Sequence, residues 1–263
     1  MRKKADGSKY VVFLKVLVRT LYDLQTMRVQ LGGRISGKGK VKITLDAGIK
    51  ERLKTYYAEI YATEKRILKD VSKELPHYPI WIQYLAQIKG IGPMAGGVLI
   101  TEIGDILRFA TVSKLWAYCG YGIKDGKAQR LQQGMKANWN TFLKAKLHLI
   151  AENLIRSKND KYGGIYRNYK HRISNRQCSL PKERHGKGVK LDKYGCTKGH
   201  RHSMALRYMI KMFLLNLYLD WWELLGKTPR PPYQEAYLGH KHQEAEATSS
   251  LKTIKRLRAK ASV

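Results

Sequence analysis

The amino-acid sequence predicts an all-α fold, in which a long helical hairpin precedes a compact helical domain. Apolar residues recur at intervals of three, four and seven, and glycine and proline separate the segments that carry this pattern. No convincing alternation typical of strands occurs, apart from a possible short pair at 41–45. Apolar residues make up 43% of the chain, which is enough to build a core.

Two long amphipathic segments, 9–31 and 47–75, form the predicted hairpin. A basic, glycine-rich turn at 32–40 separates them, and Asp46 can cap the second helix. The narrow apolar stripes favour a coiled-coil-like hairpin, although two surface helices of an ordinary bundle also fit the spacing. We expect the hairpin to occupy 1–76, the helical domain 77–228 and a basic polar tail 229–263.

Further helices are predicted along the rest of the chain. Pro93 suits the first turn of one of them, and Thr111 or Ser113 can cap the next. Residues 123–137 and 174–199 show little periodicity and predict loops. The predicted helices cover 80–88, 93–103, 109–118, 139–155, 162–172 and 204–225, with a possible basic helix at 251–260.

The charge of the chain predicts a polyanionic partner. The 263 residues include 51 Lys and Arg against 20 Asp and Glu, a formal net charge of +31. Residues 121–211 hold 22 of the basic and 5 of the acidic residues, a net charge of +17. There are also 17 Tyr and 5 Trp, whose rings can stack on unpaired bases, although most of the tyrosines also suit half-buried helix faces. We therefore predict a nucleic-acid interface in this region.

The predicted interface consists of basic, amide and aromatic side chains of this region, together with a glycine turn typical of helix-hairpin-helix motifs. Such a turn can hold a phosphate on the amides of the following helix, or it can be purely structural. The predicted nucleic-acid-binding residues are Gly90, Gly92, Lys124, Lys127, Arg130, Lys136, Asn138, Trp139, Asn140, Lys144, Arg167, Lys170, His171, Arg172, Lys182, Arg184, His185, Lys187, Lys198, His200, Arg201, Arg207 and Lys211.

The sequence offers weak signals for a metal site. Cys178, His185, Cys196, His200 and His202 could ligate zinc, but their intervals lack the paired spacing of common zinc modules. Free thiols and phosphate-contacting histidines explain them better, so we expect no metal and no cofactor; Cys178, Cys196 and His200 are the weak candidates.

Catalytic groups are not evident in the sequence. The acidic residues are scattered, no sheet is predicted to present converging carboxylates, and no Ser-His-Asp arrangement stands out. We therefore expect a binding protein and not an enzyme. Three cysteines, the lack of an 18-residue apolar run and a polar start favour a cytoplasmic protein without membrane contact.

Three motifs resemble the C-terminal region of bridge-RNA-guided insertion-sequence transposases. They are IKGIGPMAGGVLITEIGDILRF at 88–109, LWAYCGYG at 115–122, and KGHRHSMALRYMIKMFL at 198–214, the last similar to archaeal-type relatives. The resemblance covers roughly residues 80–220. The preceding hairpin resembles the coiled coil that these proteins share with Nop-domain proteins of box C/D ribonucleoproteins.

Two departures from the family pattern affect the expected activity. Those transposases carry an N-terminal RuvC-like domain with four acidic residues, whereas this chain begins directly at the hairpin. Their catalytic serine follows the glycine-rich segment, whereas residues 114–156 contain no serine.

The resemblance therefore implies the RNA-binding half of the architecture, a Nop-like domain, without its chemistry. This combination is similar to the nuclease-less members of the TIGR-Tas systems. It implies a prokaryotic or phage-encoded protein that acts as a homodimer, holds a guide RNA and reaches target DNA through RNA pairing.

Two other functions stay open at this point. One is a transposase-derived protein whose nuclease or recombinase domain is supplied by another chain. The other is a box C/D-type scaffold for RNA modification, which needs a methyltransferase partner.

We predict that charge reversal at Lys136, Arg172 and Lys187 weakens RNA binding and flattens its salt dependence, because fewer counterions are released per complex. Binding titrations at several salt concentrations measure both effects. Unchanged affinity would contradict the predicted interface.

Overall fold

A computed structural model describes residues 7–38, 44–124, 127–129, 131, 133–186 and 188–229. Eight α-helices dominate this part of the chain, and its β-structure is limited to one pair of two-residue strands, so the predicted all-α fold is confirmed. The chain forms two compact units. The first runs as far as Trp81 and also includes Gly92–Gly104, whereas the second includes Ile82–Ile91 and continues from Asp105.

The helices and strands follow one another with short turns between most of them. The helices are α1 (Gly7–Ile35), α2 (Ala47–Glu74), α3 (Pro79–Gln83), α4 (Pro93–Ile103), α5 (Val112–Tyr118), α6 (Thr141–Arg156), α7 (Asp160–Arg172) and α8 (Lys198–Leu224). The strands β1 (Ile123–Lys124) and β2 (Lys127–Ala128) pair antiparallel, with Ile123 opposite Ala128.

The predicted hairpin consists of α1 and α2, which run antiparallel. The Arg28 guanidinium donates to Glu64 Oε1 at 2.6 Å and to the Tyr57 hydroxyl at 3.0 Å. Gly32, one turn further along α1, lies against the Tyr57 ring, where a β-carbon would be 3.1 Å from a ring carbon. At the start of α2, Asp46 Oδ1 accepts the Ile49 amide at 2.9 Å, which confirms the predicted cap.

The end of α1 differs from the sequence-based prediction. The helix continues through Gly32 and Gly33 to Ile35, although glycine weakens a helix interior by about 0.5–1 kcal/mol. The close approach of the Tyr57 ring offsets this cost at Gly32. Of the possible strand pair at 41–45, residues 41–43 lie outside the described residues, and 44 and 45 have no regular structure.

Helix α4 packs on α1 and α2 within the first unit. A β-carbon at Gly97 would lie 2.7 Å from Val18 Cγ2, so the glycine permits close contact between α4 and α1. The buried Glu102 carboxylate accepts Arg19 Nη2 at 2.7 Å, and Lys15 Nζ lies 3.7 Å away. Helix α4 therefore belongs to the same compact unit as the hairpin. The domain boundary placed at residue 76 stays a prediction.

Helix α8 forms the centre of the second unit. Nearly all side chains from Met209 to Tyr218 are buried, and α5, α6 and α7 pack against them. The Tyr162 hydroxyl lies 2.9 Å from the Tyr84 hydroxyl and accepts Asn216 Nδ2 at 3.3 Å, whereas Asn216 Oδ1 has no hydrogen-bond partner among the described residues. This helix therefore forms the core of the second unit.

Several other boundaries also differ from the predicted ones. Helix α8 begins six residues before the predicted start at 204, because Thr197 Oγ1 accepts the His200 amide at 2.9 Å and caps it there. The predicted helix at 80–88 is divided into α3 and a 3-10 turn at Leu85–Gln87. Part of the predicted loop at 123–137 forms β1 and β2.

The remaining predictions concern α4, the cap of α5, membrane spans and the C-terminal residues. Helix α4 has the predicted bounds with Pro93 in its first turn, and Thr111 caps α5. Within the described residues, no helix is long and apolar enough to cross a membrane. The possible helix at 251–260 and the tail from 230 to 263 lie outside the described residues.

We expect Gly96→Ala to destabilise the protein, because the added methyl would lie 2.3 Å from the Trp81 ring. Overpacking of this kind costs about 1–3 kcal/mol, of which the better helix propensity of alanine returns up to about 1 kcal/mol. Urea unfolding followed by far-UV circular dichroism measures the change in the free energy of unfolding.

Gly164→Ala in α7 provides the matched control, because nothing lies within 4 Å of the added methyl. This substitution should stabilise α7 by about 0.5–1 kcal/mol. Equal effects of the two substitutions would contradict the described packing of Gly96.

Candidate nucleic-acid interface

The turn after α5 brings two side chains of the predicted interface together. Gly120 has a φ of +76°, which favours glycine. A β-carbon there would lie 2.6 Å from Lys144 Cδ and 2.8 Å from Trp139 Cδ1. The glycine thus leaves room for Lys144 and Trp139 against the turn, and Lys144 Nζ lies 4.6 Å from the centroid of the Trp139 ring.

Helix α8 adds two cations four residues apart, which places them on the same face. Arg207 Nη2 donates to the carbonyls of Tyr121 and Gly122, both at 2.8 Å. Lys211 Nζ lies 4.0 Å from the centroid of the Trp116 ring, and Trp116 Nε1 donates to the Lys211 carbonyl at 3.1 Å. These contacts fix both cations against α5 and the turn that follows it.

We call Lys144, Arg207 and Lys211 the basic cluster. All three side chains are partly buried. Burial, together with the nearby Arg207, lowers the pKa of Lys211 from 10.5 to about 8. The same two causes lower the pKa of Lys144, and burial lowers that of Arg207.

No carboxylate compensates the basic cluster among the residues that the structure describes. None of the ion pairs formed there includes any of the three cations. Within the described part of the chain, carbonyls stabilise Arg207 and aromatic faces stabilise Lys144 and Lys211, while the three cations repel one another. A bound anion such as a phosphate group would relieve this repulsion, so the arrangement is suited to binding one.

A second aromatic and cationic surface lies on α7 and α8. The Tyr169 and Tyr208 rings stack with centroids 4.2 Å apart and an angle of 15° between their planes. The guanidinium carbon of Arg172 lies 4.8 Å from the Tyr169 centroid and 5.3 Å from the Tyr208 centroid. We call these three residues the tyrosine stack; it combines a positive charge with flat apolar surface.

The predicted interface residues differ in how far their side chains are exposed. The exposed ones are Gly92, Lys136, Asn138, Arg167, Lys170, His171, Arg172, Lys182 and Lys198, and the partly buried ones are Gly90, Trp139, Asn140, Lys144, His185, His200, Arg207 and Lys211. Arg201 is buried. Of Lys124, Lys127 and Arg184 only the backbone is described, and Arg130 and Lys187 lie outside the described residues.

Three predicted residues have structural roles instead. Arg201 is 7% exposed; its guanidinium donates to Asp192 Oδ2 at 2.8 Å and also to the carbonyls of Ile173 and Arg176, which leaves it enclosed by protein. Asn140 caps α6, since its Oδ1 accepts the Leu143 amide at 2.9 Å.

Gly90 is the third of these residues. It has a φ of +101°, and a β-carbon there would lie 2.5 Å from Ser157 Oγ, so it permits close packing against the end of α6.

Sequence reasoning missed some residues of the interface. The sequence did not single out the aromatic residues Trp116, Tyr121, Tyr169 and Tyr208. The available signal was the four-residue spacing of Arg207 and Lys211, which places these two cations on a common helix face. Sequence reasoning also missed a polar chain in which His202 Nδ1 lies 2.7 Å from the Tyr166 hydroxyl and His202 Nε2 lies 3.1 Å from Glu152. Lys170 Nζ donates to the same hydroxyl at 3.0 Å.

The cysteine and histidine candidates separate into two groups. The ligand atoms of Cys178, Cys196 and His200 all lie within 4.8 Å of one another, whereas His202 belongs to the polar chain with Tyr166. Burial and the neighbouring Cys178 raise the pKa of the Cys196 thiol to about 11, so it is not a reactive thiolate near neutral pH.

We predict that Lys211 titrates near pH 8 in the free protein and that Arg207→Leu raises this midpoint part of the way toward 10.5. The native state releases this proton at lower pH than the unfolded chain does. Between pH 8 and 10.5 the unfolded state thus binds more protons, and this contribution to the free energy of unfolding rises with pH.

NMR titration of the lysine ε-carbons measures the midpoint. The exposed Arg167→Leu variant removes the same charge elsewhere and should leave it unchanged. A midpoint near 10.5 in the wild-type protein would contradict the burial of Lys211.

Comparison with protein families gives one match. Residues 82–167 match the model of the Transposase IS116/IS110/IS902 family. No curated protein matches the chain. The matched segment contains α4, α5 and α6, and therefore the Lys144 and Trp139 positions of the interface. Through residues 82–167, this chain is related to the IS116/IS110/IS902 transposase family.

Proposed function

We propose that the protein binds a structured guide RNA through its second unit and directs the resulting ribonucleoprotein to DNA by base pairing, without cutting the DNA. The basic cluster is the observation that carries the RNA-binding part of this proposal. Three partly buried cations are held together there by carbonyls and aromatic rings, and no described carboxylate pairs with them. A phosphate backbone supplies the missing negative charge.

The aromatic rings beside the cations favour nucleic acid that is not fully base-paired. Trp139 is partly exposed next to Lys144, and the tyrosine stack carries Arg172 on α7. Unpaired bases stack on such rings, whereas the bases of a duplex are already stacked on each other. A folded RNA with loops offers both phosphates and unpaired bases, so it fits the described surface better than regular duplex DNA.

The guided targeting of DNA rests on the relationship to transposases. Residues 82–167 match a transposase family, and the motifs of the chain resemble transposases that use an RNA guide. In such effectors base pairing reads the sequence, while the protein binds the RNA backbone and shape. The protein is then the RNA-holding component, and the hairpin is its proposed site of homodimer formation.

Two features support binding without cleavage. Residues 114–156 contain no serine, although the catalytic serine of the resembling transposases lies in this segment. Two-metal nucleases need several converging carboxylates, and the described surroundings of the basic cluster offer none as ion-pair partners. The family match also favours a second candidate, a transposase-derived protein that acts with a nuclease or recombinase domain of another chain.

The decisive experiment is purification of the full-length protein and sequencing of the RNA that co-purifies with it. Tandem segments complementary to DNA, together with retention of matching DNA by the complex, are expected. Absence of bound RNA would overturn the proposal, and box C/D motifs would replace it with an RNA-modification scaffold. Strand cleavage of matching DNA with magnesium would contradict the non-nuclease part.

A triple variant tests where the RNA binds. Lys144→Gln, Arg207→Gln and Lys211→Gln together should lower the slope of log affinity against log salt by about 2–3 and weaken binding at least roughly tenfold. The same RNA recovered from wild-type protein serves as the probe in a filter-binding titration.

The matched control changes Lys50, Lys54 and Lys69 of α2 to Gln, which removes the same net charge from exposed positions of the first unit. Its affinity should stay within about threefold of wild type, because the proposed contacts lie elsewhere. Equal losses in the two triple variants would show that only net charge matters and would contradict a defined RNA site in the second unit.

A further inference from the structure

The loop between α7 and α8 brings together side chains from distant positions. The Sγ atoms of Cys178 and Cys196 and a ring nitrogen of His200 all lie within 4.8 Å of one another. In a tetrahedral zinc site, Zn–S distances near 2.3 Å and Zn–N distances near 2.0 Å place neighbouring ligand atoms about 3.3–3.8 Å apart. Small side-chain movements therefore suffice to bring the three ligand atoms to one metal ion.

His185 lies beside Cys178 and is a candidate for the fourth ligand. His185 Nε2 is 3.4 Å from Cys178 Sγ, which matches the separation of sulfur and nitrogen ligands on one zinc ion. The His185 and His200 rings have centroids 5.4 Å apart and planes at 79° to each other, so the two imidazoles approach from different directions. The set of two thiols and two imidazoles is a composition that structural zinc sites use.

The backbone around the cluster holds its members in place. Asp192 Oδ1 accepts the amides of Tyr194 and Cys196, both at 2.9 Å, which forms a tight turn that presents the Cys196 thiol. The Cys178 amide donates to the Tyr194 carbonyl at 3.0 Å and joins the first cysteine to this turn. His200 is in the first turn of α8, which the Thr197 cap fixes.

Apolar packing contributes little to the fold of this loop, although the buried Arg201 guanidinium binds Asp192 and the Arg176 carbonyl. Among the described residues of 174–197, only the Cys196 side chain is buried. A segment without an apolar core usually requires a disulfide or a metal ion to hold its shape. A disulfide would use only the two cysteines, whereas a metal ion uses all four groups.

We propose that Cys178, His185, Cys196 and His200 form a tetrahedral structural zinc site that anchors the 174–197 loop to the start of α8. The site has no open position for a substrate, so its role is to hold the loop. Two thiolates balance the charge of one Zn²⁺, so the site stabilises this lysine-rich loop without adding to its positive charge. The proposal rests on different residues from the basic cluster and does not depend on RNA binding.

Metal analysis of the full-length wild-type protein tests the proposal directly. After refolding with zinc and desalting, the protein should contain one zinc ion per chain, as measured by inductively coupled plasma mass spectrometry. Cobalt replacement should give the intense visible absorption of a tetrahedral site together with thiolate-to-metal charge transfer, which reports the ligand set without any mutation. Less than a tenth of one equivalent of metal, or an octahedral cobalt spectrum, would overturn the proposal.

Variants identify the ligands. Cys178→Ser and His185→Ala should each reduce the bound zinc to a small fraction of the wild-type amount after desalting. Cys119→Ala and His202→Ala are matched controls, because Cys119 is in the core and His202 contacts Tyr166 and Glu152. Both controls should keep one equivalent.

Two results of the variant series would contradict the site. One is full zinc retention in Cys178→Ser, and the other is a Cys178–Cys196 disulfide in alkylated peptides of the native protein. Chelation of wild-type protein should also speed protease cleavage within 174–197 several-fold. An unchanged cleavage rate after complete removal of the metal would overturn the anchoring role.

Discussion

The packing of three helices on the apolar middle of α8 is the constraint on which the second unit depends. The buried stretch from Met209 to Tyr218 holds α5, α6 and α7 at fixed distances from one helix. Arg207 and Lys211 lie at the edge of this stretch, so the same packing that builds the core also sets the positions of the cations. The Trp116 indole connects the two directly, because it packs in the core and donates to the Lys211 carbonyl. The core and the candidate interface are therefore parts of one arrangement.

The cost of this arrangement is electrostatic. Burial, and after it the repulsion from the nearby Arg207, lowers the pKa of both Lys144 and Lys211. In the first unit, buried charges are instead paired with charges of opposite sign. There the buried carboxylates of Glu64 and Glu102 each accept a guanidinium, from Arg28 and Arg19. The basic cluster has no such carboxylate partner among the described residues, which distinguishes it both from these pairs and from Arg201, which pairs with Asp192 in the same unit.

Local rules were sufficient for much of the fold. Asp46 and Pro93 were identified as helix starts from residue type alone, and Thr111 was one of two candidate caps, because caps and first-turn prolines depend on neighbours within four residues. Contacts between distant residues were not accessible in this way. The Lys211 and Trp116 pair spans 95 residues, and nothing in the spacing of basic residues distinguishes the enclosed Arg201 from its exposed neighbours. Sequence spacing also did not predict that Cys178 and His200 lie close together, because an irregular loop brings them there.

The order in which the chain contributes to the two units has a consequence for synthesis. Residues 82–91 belong to the second unit although they precede α4, which completes the first. Each unit is therefore built from two separate stretches of chain. Domains generally fold as units while the chain emerges from the ribosome. The first unit is therefore complete only once α4 has been synthesised, and the second needs both residues 82–91 and the chain from Asp105 onward.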